Sequence, residues 1–440
     1  MLKLKLHWQI AIAIALALVA GVATGMLPED APARAYATGV YDFFGDIFKN
    51  ALKMIIVPLI TSSIIVGVAG MGKGTAIGRL GARTVLFYAT TSLAAILVGL
   101  VLVNIFQPGI YNGEPAKQLL ALEASTADVE QRVGGRDAGD IIEIFVRMVP
   151  PNVISAAANG EMLGLIFFSL LFGYFMTRLD DAYAGTLFRF WEAVFEVMMG
   201  ITDLVMRFAP IGVFGLIAGV IASLDFSEVR DFITILSKYA LIVAFALVIH
   251  TFLTLPLFLR YIARVRSRAM FSGMAPALLT AFSTASSSAT LPVTMECVED
   301  NIGVSKKVAS FVLPLGATVN MNGTALYECV AAMFIAQAYG LEITLGVQFI
   351  IVLTALVTSI GVAGVPQASL VAIAIILQTI GLPLEAIGVL FVFDRILDMA
   401  RTAVNVFGDA CCATIVARLE GEETSIPLNP GHAGPAGHRG

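Results

Sequence analysis

One run near the C-terminal end of the chain holds most of its ionic chemistry: Asp394-Arg395-Ile396-Leu397-Asp398-Met399-Ala400-Arg401-Thr402-Ala403-Val404-Asn405-Val406-Phe407-Gly408-Asp409. On a helix turning about 100° per residue, Asp394, Asp398, Arg401, Thr402, Asn405 and Asp409 fall within an arc of roughly 100°. The intervening positions are mostly Ile, Leu, Met, Ala, Val and Phe. This is a polar face on a helix otherwise compatible with lipid. Each charge buried in a membrane costs about 2.5–3.5 kcal/mol on insertion scales. The face therefore has to meet ions, a ligand or its own opposite charges. Salt bridges that merely join helices are the plain alternative, but these carboxylates and guanidinium groups exceed what joining requires.

A second run, Gly316-Ala317-Thr318-Val319-Asn320-Met321-Asn322-Gly323-Thr324-Ala325-Leu326-Tyr327-Glu328, places Gly323 and two amides inside an apolar helix. Unwinding there exposes backbone carbonyls, which suit hard cations such as Na⁺. A kink packed by polar side chains is the competing reading. The triplet Ser286-Ser287-Ser288 is either a small-residue packing motif or part of the same site.

The elements that position these runs follow from composition. The chain has 440 residues, 58% hydrophobic and 13% charged, against about 25% charged in soluble domains. Ile10 to Met26 is apolar or small throughout, and roughly 20 such residues cross a bilayer. Most of the chain is expected in a membrane. The net charge of −5 comes without a basic stripe, so no nucleic-acid partner is expected. Cys297, Cys329, Cys411 and Cys412 sit in apolar surroundings and read as buried thiols. No Cys or His spacing suggests a metal centre, and no nucleophile–base pair suggests an enzyme. No cofactor is expected. Lys3, Lys5 and Ala33-Arg34-Ala35 imitate a signal peptide, but the apolar run is too long and an uncleaved first helix is expected.

Spans are expected at about 8–27, 40–70, 84–106, 144–177, 190–222, 231–259, 306–339 and 383–417, with interrupted apolar regions at 270–298 and 343–379. Ser286-Ser287-Ser288 and Pro292 break the first region; Gly361, Gly364 and Pro366 break the second. Non-helical backbone at membrane depth must be buried in protein or line a wet cavity. Both regions are therefore expected to be re-entrant hairpins, with residues 231–298 mirroring 306–379 as inverted repeats. The fold class is an all-α polytopic membrane protein with eight transmembrane helices and two hairpins. Lys and Arg near the N-terminus and in the loops around 73–83, 178, 260–268, 306–307 and 418 share one side, making both termini cytoplasmic. Residues 107–143 form the outer polar loop. The tail 419–440 is charged, then rich in Gly, Pro and His, and is expected to be disordered.

Ile56-Val57-Pro58-Leu59-Ile60, Ala209-Pro210-Ile211-Gly212-Val213-Phe214, the serine triplet, Asn320-Met321-Asn322-Gly323-Thr324 and the run from Asp394 occur in this order. Together they resemble the glutamate transporter family, the dicarboxylate/amino acid:cation symporters, over almost the whole length. The inverted-repeat arrangement is itself known from that family. The resemblance implies a homotrimer in the plasma (inner) membrane working by an elevator movement. Residues 1–83 and 144–222 would be the static scaffold. Residues 84–106 and 223–418 would be the moving domain.

By the same resemblance, substrate would meet Ser286, Ser287 and Ser288 in the first hairpin, Thr324 at the unwound span, and Val365 and Ser369 in the second hairpin. Asp398 would take an ammonium group, and Arg401 would clasp a side-chain carboxylate bidentately. Thr402 and Asn405 would complete the pocket. One Na⁺ site would use Gly316, Asn320, Asn405 and Asp409. A second would use Thr318, Ser359, Ile360 and Val362, and a third Tyr88, Thr91, Ser92, Asn320 and Asn322. Family members for neutral amino acids typically lack the arginine, and members for plain dicarboxylates typically lack the aspartate. The resemblance therefore implies symport of L-aspartate or L-glutamate driven by Na⁺, H⁺ or both. A C4-dicarboxylate symporter is the alternative, and an anion channel or a receptor is the reading from another class.

Three departures bear on coupling. Position 322 is usually Asp and is Asn here, which weakens the third cation site. Archaeal members carry Arg where this chain has Ala285, and animal members carry it at the position of Met399. Here Arg395 is the substitute, expected to neutralise a carboxylate of the moving domain; with Asp394 it is a candidate for charge coupling. Glu328 stands where animal members carry a proton-binding glutamate, so it is either a proton carrier or a hydrogen-bonded structural acid.

Overall fold

Backbone in hydrocarbon has to satisfy its own N–H and C=O groups, so the apolar runs become helices. A computed structural model describes residues 6–70, 75–120, 122, 146, 149–159, 162–359 and 368–426. Helices α1 (Leu6–Gly25), α2 (Pro32–Ala69) and α3 (Thr75–Phe106) open the chain. Pro32 sits at the first turn of α2, where its missing N–H costs no helical bond. After α3, strands β1 (Ile110–Tyr111) and β2 (Glu114–Pro115) pair antiparallel in the register Ile110↔Pro115. Asn112 and Gly113 turn between them with φ of 52° and 87°, the left-handed pair that a tight hairpin turn demands.

Helices α4 (Val153–Asn159), α5 (Met162–Met176) and α6 (Asp181–Ala222) follow. Then α7 (Phe226–Ile249) continues through wider, π-wound turns to Ala263. Helices α8 (Ser267–Thr284) and α9 (Ser287–Glu296) are separated by Ala285 and Ser286, with Ala285 left-handed. A π-wound turn, Cys297–Ile302, ends at Gly303. Helix α10 (Lys306–Val319) stops at Asn320 and Met321, and α11 (Asn322–Ala338) resumes. Helices α12 (Leu345–Ser359) and α13 (Ala368–Thr379) are the arms of the second interrupted region. A 3₁₀ turn, Leu384–Leu390, leads into α14 (Phe391–Leu419).

The first break falls at Ala285-Ser286, where the serine triplet begins, and another at Asn320-Met321. Pro292, expected to break the first region, lies inside α9, because a proline withdraws only one N–H donor from a helix. Gly361, Gly364 and Pro366 lie outside the described residues. Of the expected span 144–177, α4 and α5 cover 153–159 and 162–176, and residues 160–161 lie outside the described residues. Helices α2 and α6 begin eight or nine residues before the apolar stretches, because a helix can continue past the hydrocarbon edge into polar sequence. Four helical stretches among the described residues are long and apolar enough to cross a membrane alone: Trp8–Gly25, Leu80–Phe106, Asp181–Ala222 and Glu228–Ala263. Helices α10, α11 and α14 carry the breaks and polar groups that dilute this signal.

Two sets of helices pack. In one, α6 lies against α1 and α2, and α2 against α5. In the other, α3, α12, α13 and α14 surround α11, while α8, α9 and α10 meet α14. Every residue of α11 is buried. The four cysteines are free and buried, as their surroundings imply. The expectation of disorder from 419 needs correction. Residues 420–426 are seated against the molecule, with the Ser425 N–H donating to the Ile302 carbonyl at 2.8 Å and Ile426 buried. Composition registers the charges of this stretch but not their partners. Residues 427–440 lie outside the described residues.

The segment after α3 passes close against α11 at Gly109, which has no side chain. A Cβ on Gly109 would lie 2.5 Å from the Phe334 carbonyl oxygen and 2.6 Å from the Ala338 nitrogen, both backbone atoms. Gly109→Ala is expected to destabilise the fold by about 1–3 kcal/mol. A thermal unfolding midpoint in detergent equal to that of the parent would contradict this packing.

Candidate functional site

Helix α14 brings its ionic residues inward. Asp394 and Arg401 are fully buried, and Asp398 is 6% exposed. Residues three and seven positions apart share a helix face, so the carboxylates reach the guanidinium along one side. Arg401 Nη2 donates to Asp398 Oδ1 at 2.9 Å and to Asp394 Oδ1 at 3.0 Å. Its guanidinium also lies 3.7 Å from the centroid of the Tyr327 ring on α11. A buried guanidinium flanked by two carboxylates and an aromatic face has its charge compensated without solvent. Arg395 Nη1 stands 3.6 Å from Asp398 Oδ2, so the substituted guanidinium does neighbour a carboxylate of the face.

This arrangement differs from the expected division of labour. Asp398 and Arg401 bond to each other, and Asp394 shares the guanidinium. Arg401 is only partly used. Its Nε and Nη1, Asp394 Oδ2 and Ser369 Oγ are buried without a hydrogen-bond partner among the described residues. Buried polar atoms left unmatched are costly, so Arg401 and Asp394 retain hydrogen-bonding capacity for a further polar group. Thr402 instead turns its hydroxyl onto its own helix, at 2.8 Å from the Asp398 carbonyl.

One turn deeper, α14 meets the break between α10 and α11. Asn405 Oδ1 accepts the Gly323 N–H at 2.8 Å, and its Nδ2 reaches Thr324 Oγ1 at 3.1 Å and Met321 Sδ at 3.2 Å. Thus Asn405 caps the start of α11 and satisfies a helix-start donor from another helix. Gly323 is required here, since a Cβ would come within 2.9 Å of the Arg401 carbonyl oxygen. Asn320 Nδ2 donates to Asp409 Oδ1 at 2.8 Å, and Asn320 Oδ1 is left unpartnered. A Cβ on Gly316 would collide with Asp409 Oδ1 and lie 2.6 Å from the Tyr88 hydroxyl. Gly316, Tyr88, Asn320 and Asp409 therefore converge on one oxygen-rich point, the donor type a hard cation takes.

The other expected residues divide. Tyr88 donates to the Val312 carbonyl at 2.8 Å. Thr91 and Ser92 are buried on the same helix. Asn322 is buried with its Nδ2 unpartnered, held against Gly408. Thr318 bonds to the Leu315 carbonyl and Ser359 to the Leu356 carbonyl, each within its own helix. Ser286 caps α9 by accepting the Ala289 N–H. Ser287 is buried, whereas Ser288 is exposed. Ile360, Val362 and Val365 lie outside the described residues. Glu328 is fully buried and accepts a hydrogen bond from Thr358 Oγ1 at 2.8 Å, with Oε1 unpartnered.

Tyr327 and Thr358 are additions that sequence reasoning missed. Tyr327 stands inside the Gly316–Glu328 run, one residue before Glu328, and its aromatic face was the available signal. Thr358 precedes Ser359 and carries no distinguishing pattern. Asp394→Ala would leave Arg401 with one buried carboxylate. Breaking such a pair typically costs about 3–5 kcal/mol, so a marked loss of thermal stability is expected, with Asp394→Asn milder. Equal midpoints for both variants and the parent would show that the cluster is not paired as described.

Comparison with known proteins places this geometry. The sodium:dicarboxylate symporter family matches residues 6–419. The proton/glutamate-aspartate symporter of Escherichia coli (strain K12) is 36% identical over 420 residues, covering 95% of this chain and 94% of that protein. The proton/sodium-glutamate symport protein of Geobacillus stearothermophilus is 36% identical over 426 residues, covering 96% of each. Excitatory amino acid transporter 3 of Homo sapiens is 35% identical over 472 residues, covering 96% of this chain and 87% of that protein. With its buried ionic face, the break between α10 and α11 and a family match over residues 6–419, the chain belongs to the sodium:dicarboxylate symporter family.

Proposed function

We propose that the protein is a secondary active symporter of acidic amino acids, L-aspartate or L-glutamate, driven by Na⁺, H⁺ or both. The observation that carries this reading is the partly used Arg401 guanidinium beside Asp398 on one buried face of α14. An acidic amino acid brings a side-chain carboxylate for the cation and an ammonium for the anion. Its arrival exchanges internal ion pairs for ligand ion pairs, keeping every buried charge compensated. The relatives' names, proton/glutamate-aspartate and proton/sodium-glutamate symporters, support the same substrate class. A plain dicarboxylate would leave Asp398 without its ammonium partner.

In this reading Ser287, Thr324, Ser369 and Asn405 line the substrate pocket with Asp398 and Arg401. Gly316, Asn320, Asn405 and Asp409 hold a coupling cation. Residues 1–83 and 144–222 form the scaffold of a homotrimer in the inner membrane, with both termini cytoplasmic. The domain of 84–106 and 223–418 moves between the two sides as an elevator.

Uptake of labelled aspartate and glutamate into proteoliposomes under separate Na⁺ and pH gradients tests the function. Uptake of succinate or serine with neither acidic amino acid transported would sink it. Glu328, held by Thr358, is assigned the proton. Glu328→Gln is expected to flatten the pH dependence of uptake, and an unchanged profile would remove it from that role. Asn322 leaves the third cation site without a carboxylate. Asn322→Asp is expected to raise the number of cations moved per substrate, read from reversal potentials. Equal stoichiometry in the two proteins would overturn this assignment.

A further inference from the structure

The end of α14 and the stretch after it tie together the ends of the three helices that converge on the proposed cation point. Arg418 Nε donates to the Ala263 carbonyl at 3.4 Å, and its Nη1 donates to the Glu422 carbonyl at 3.3 Å. Arg83 Nη1 on α3 donates to the Leu419 carbonyl at 2.9 Å and pairs with Glu420. Glu422 takes both donors of Ser305, the N–H at 3.1 Å and the hydroxyl at 2.6 Å. Ser305 Oγ in turn accepts the Val308 N–H, so Glu422 completes the cap at the start of α10. The strap then crosses Gly303, where a Cβ would lie 2.6 Å from the Ser425 nitrogen. It ends on buried Ile426.

Each tie has its counterpart in the membrane. Arg83 lies five residues before Tyr88 on α3. Ser305 lies at the far end of the helix that carries Gly316 and leads to Asn320, about 22 Å away at 1.5 Å per residue. Arg418 and Leu419 close the helix that carries Asp409. Helices are stiff along their axes, so fixing three ends in register fixes the spacing of the groups they bear. An isolated exposed ion pair contributes little. Here the pairs act with a helix cap, a backbone hydrogen bond and a buried Ile426 on one short segment.

We infer that residues 418–426 are a positioning strap for the coupling-cation site, with Glu422 its principal residue. The inference rests on the assignment of Gly316, Asn320 and Asp409 to that site. Glu422 touches neither substrate nor cation and acts through the register of α10 against α14 and α3.

The test is aspartate uptake by the full-length protein in proteoliposomes, titrated with Na⁺ at fixed pH and with protons in Na⁺-free medium. Glu422→Ala is expected to raise the half-saturating concentration of the coupling cation about fivefold, a loss on the scale of one helix cap. The maximal rate is expected to change less. Glu422→Gln keeps an acceptor for Ser305 and should fall between, and Ser305→Ala should shift in the same direction. Both remain readable if Glu422→Ala does not fold. A fall in maximal rate with unchanged half-saturation in these variants overturns the inference. Asp409→Asn serves as the control. If it abolishes cation dependence while the strap variants leave half-saturation unchanged, the strap alone is refuted. If it leaves cation dependence intact, the site assignment fails and the strap inference falls with it.

Discussion

A guanidinium held out of water has to keep its charge compensated, and the structure around Arg401 follows from that. Desolvating an ion costs several kcal/mol even after relaxation, and one missing partner leaves that cost exposed. Asp394 and Asp398 on the same helix, with the face of Tyr327 across from it, supply the compensation. The residues therefore have to lie one and two turns apart on a continuous helix. The aromatic ring has to come from α11 at van der Waals distance. These demands fix how α11 and α14 meet.

Helix α11 is buried along its whole length, which is possible only because nearly all its side chains are small or apolar. Its N-terminal donors have no water to meet. Asn405 of α14 supplies the acceptor for the Gly323 N–H, and Gly323 leaves room for the Arg401 carbonyl. The same break that costs α10 and α11 their continuity turns the Asn320 side chain onto Asp409 beside Gly316. The helix ends at this break are held by amides and Gly, residues that satisfy or accommodate backbone at low steric cost.

The two halves of the site share α14. Its first turns carry the guanidinium cluster and its middle carries Asn405 and Asp409. A shift of α14 along its axis would move both. This couples the geometry of the ionic cluster to that of the point where Gly316, Asn320 and Asp409 meet, without a separate linking element. The ordered residues after α14 bear on the same helix from its other end, through contacts with α3, α10 and the turn at Gly303.

Much of this was legible in residue order. The apolar runs, the interruptions at Ser286-Ser287-Ser288 and Asn320-Met321, and the polar arc of α14 follow from hydropathy and helical periodicity, which depend only on local sequence. So does the burial of the cysteines. The tertiary structure decided which charges meet. Periodicity puts Asp394, Asp398 and Arg401 on one face but does not say that one nitrogen bonds both carboxylates. It cannot place Tyr327 against Arg401 or Thr358 against Glu328, because those contacts join segments about 70 and 30 residues apart whose approach is set by packing. It likewise missed the seat of residues 420–426. A stretch of Glu, Thr and Ser looks solvated until Arg83, Ser305 and the Ile302 carbonyl are brought to it. Local sequence determined where the chain is helical and where it breaks. Only the packing of distant helices decided how the broken ends and buried charges satisfy one another.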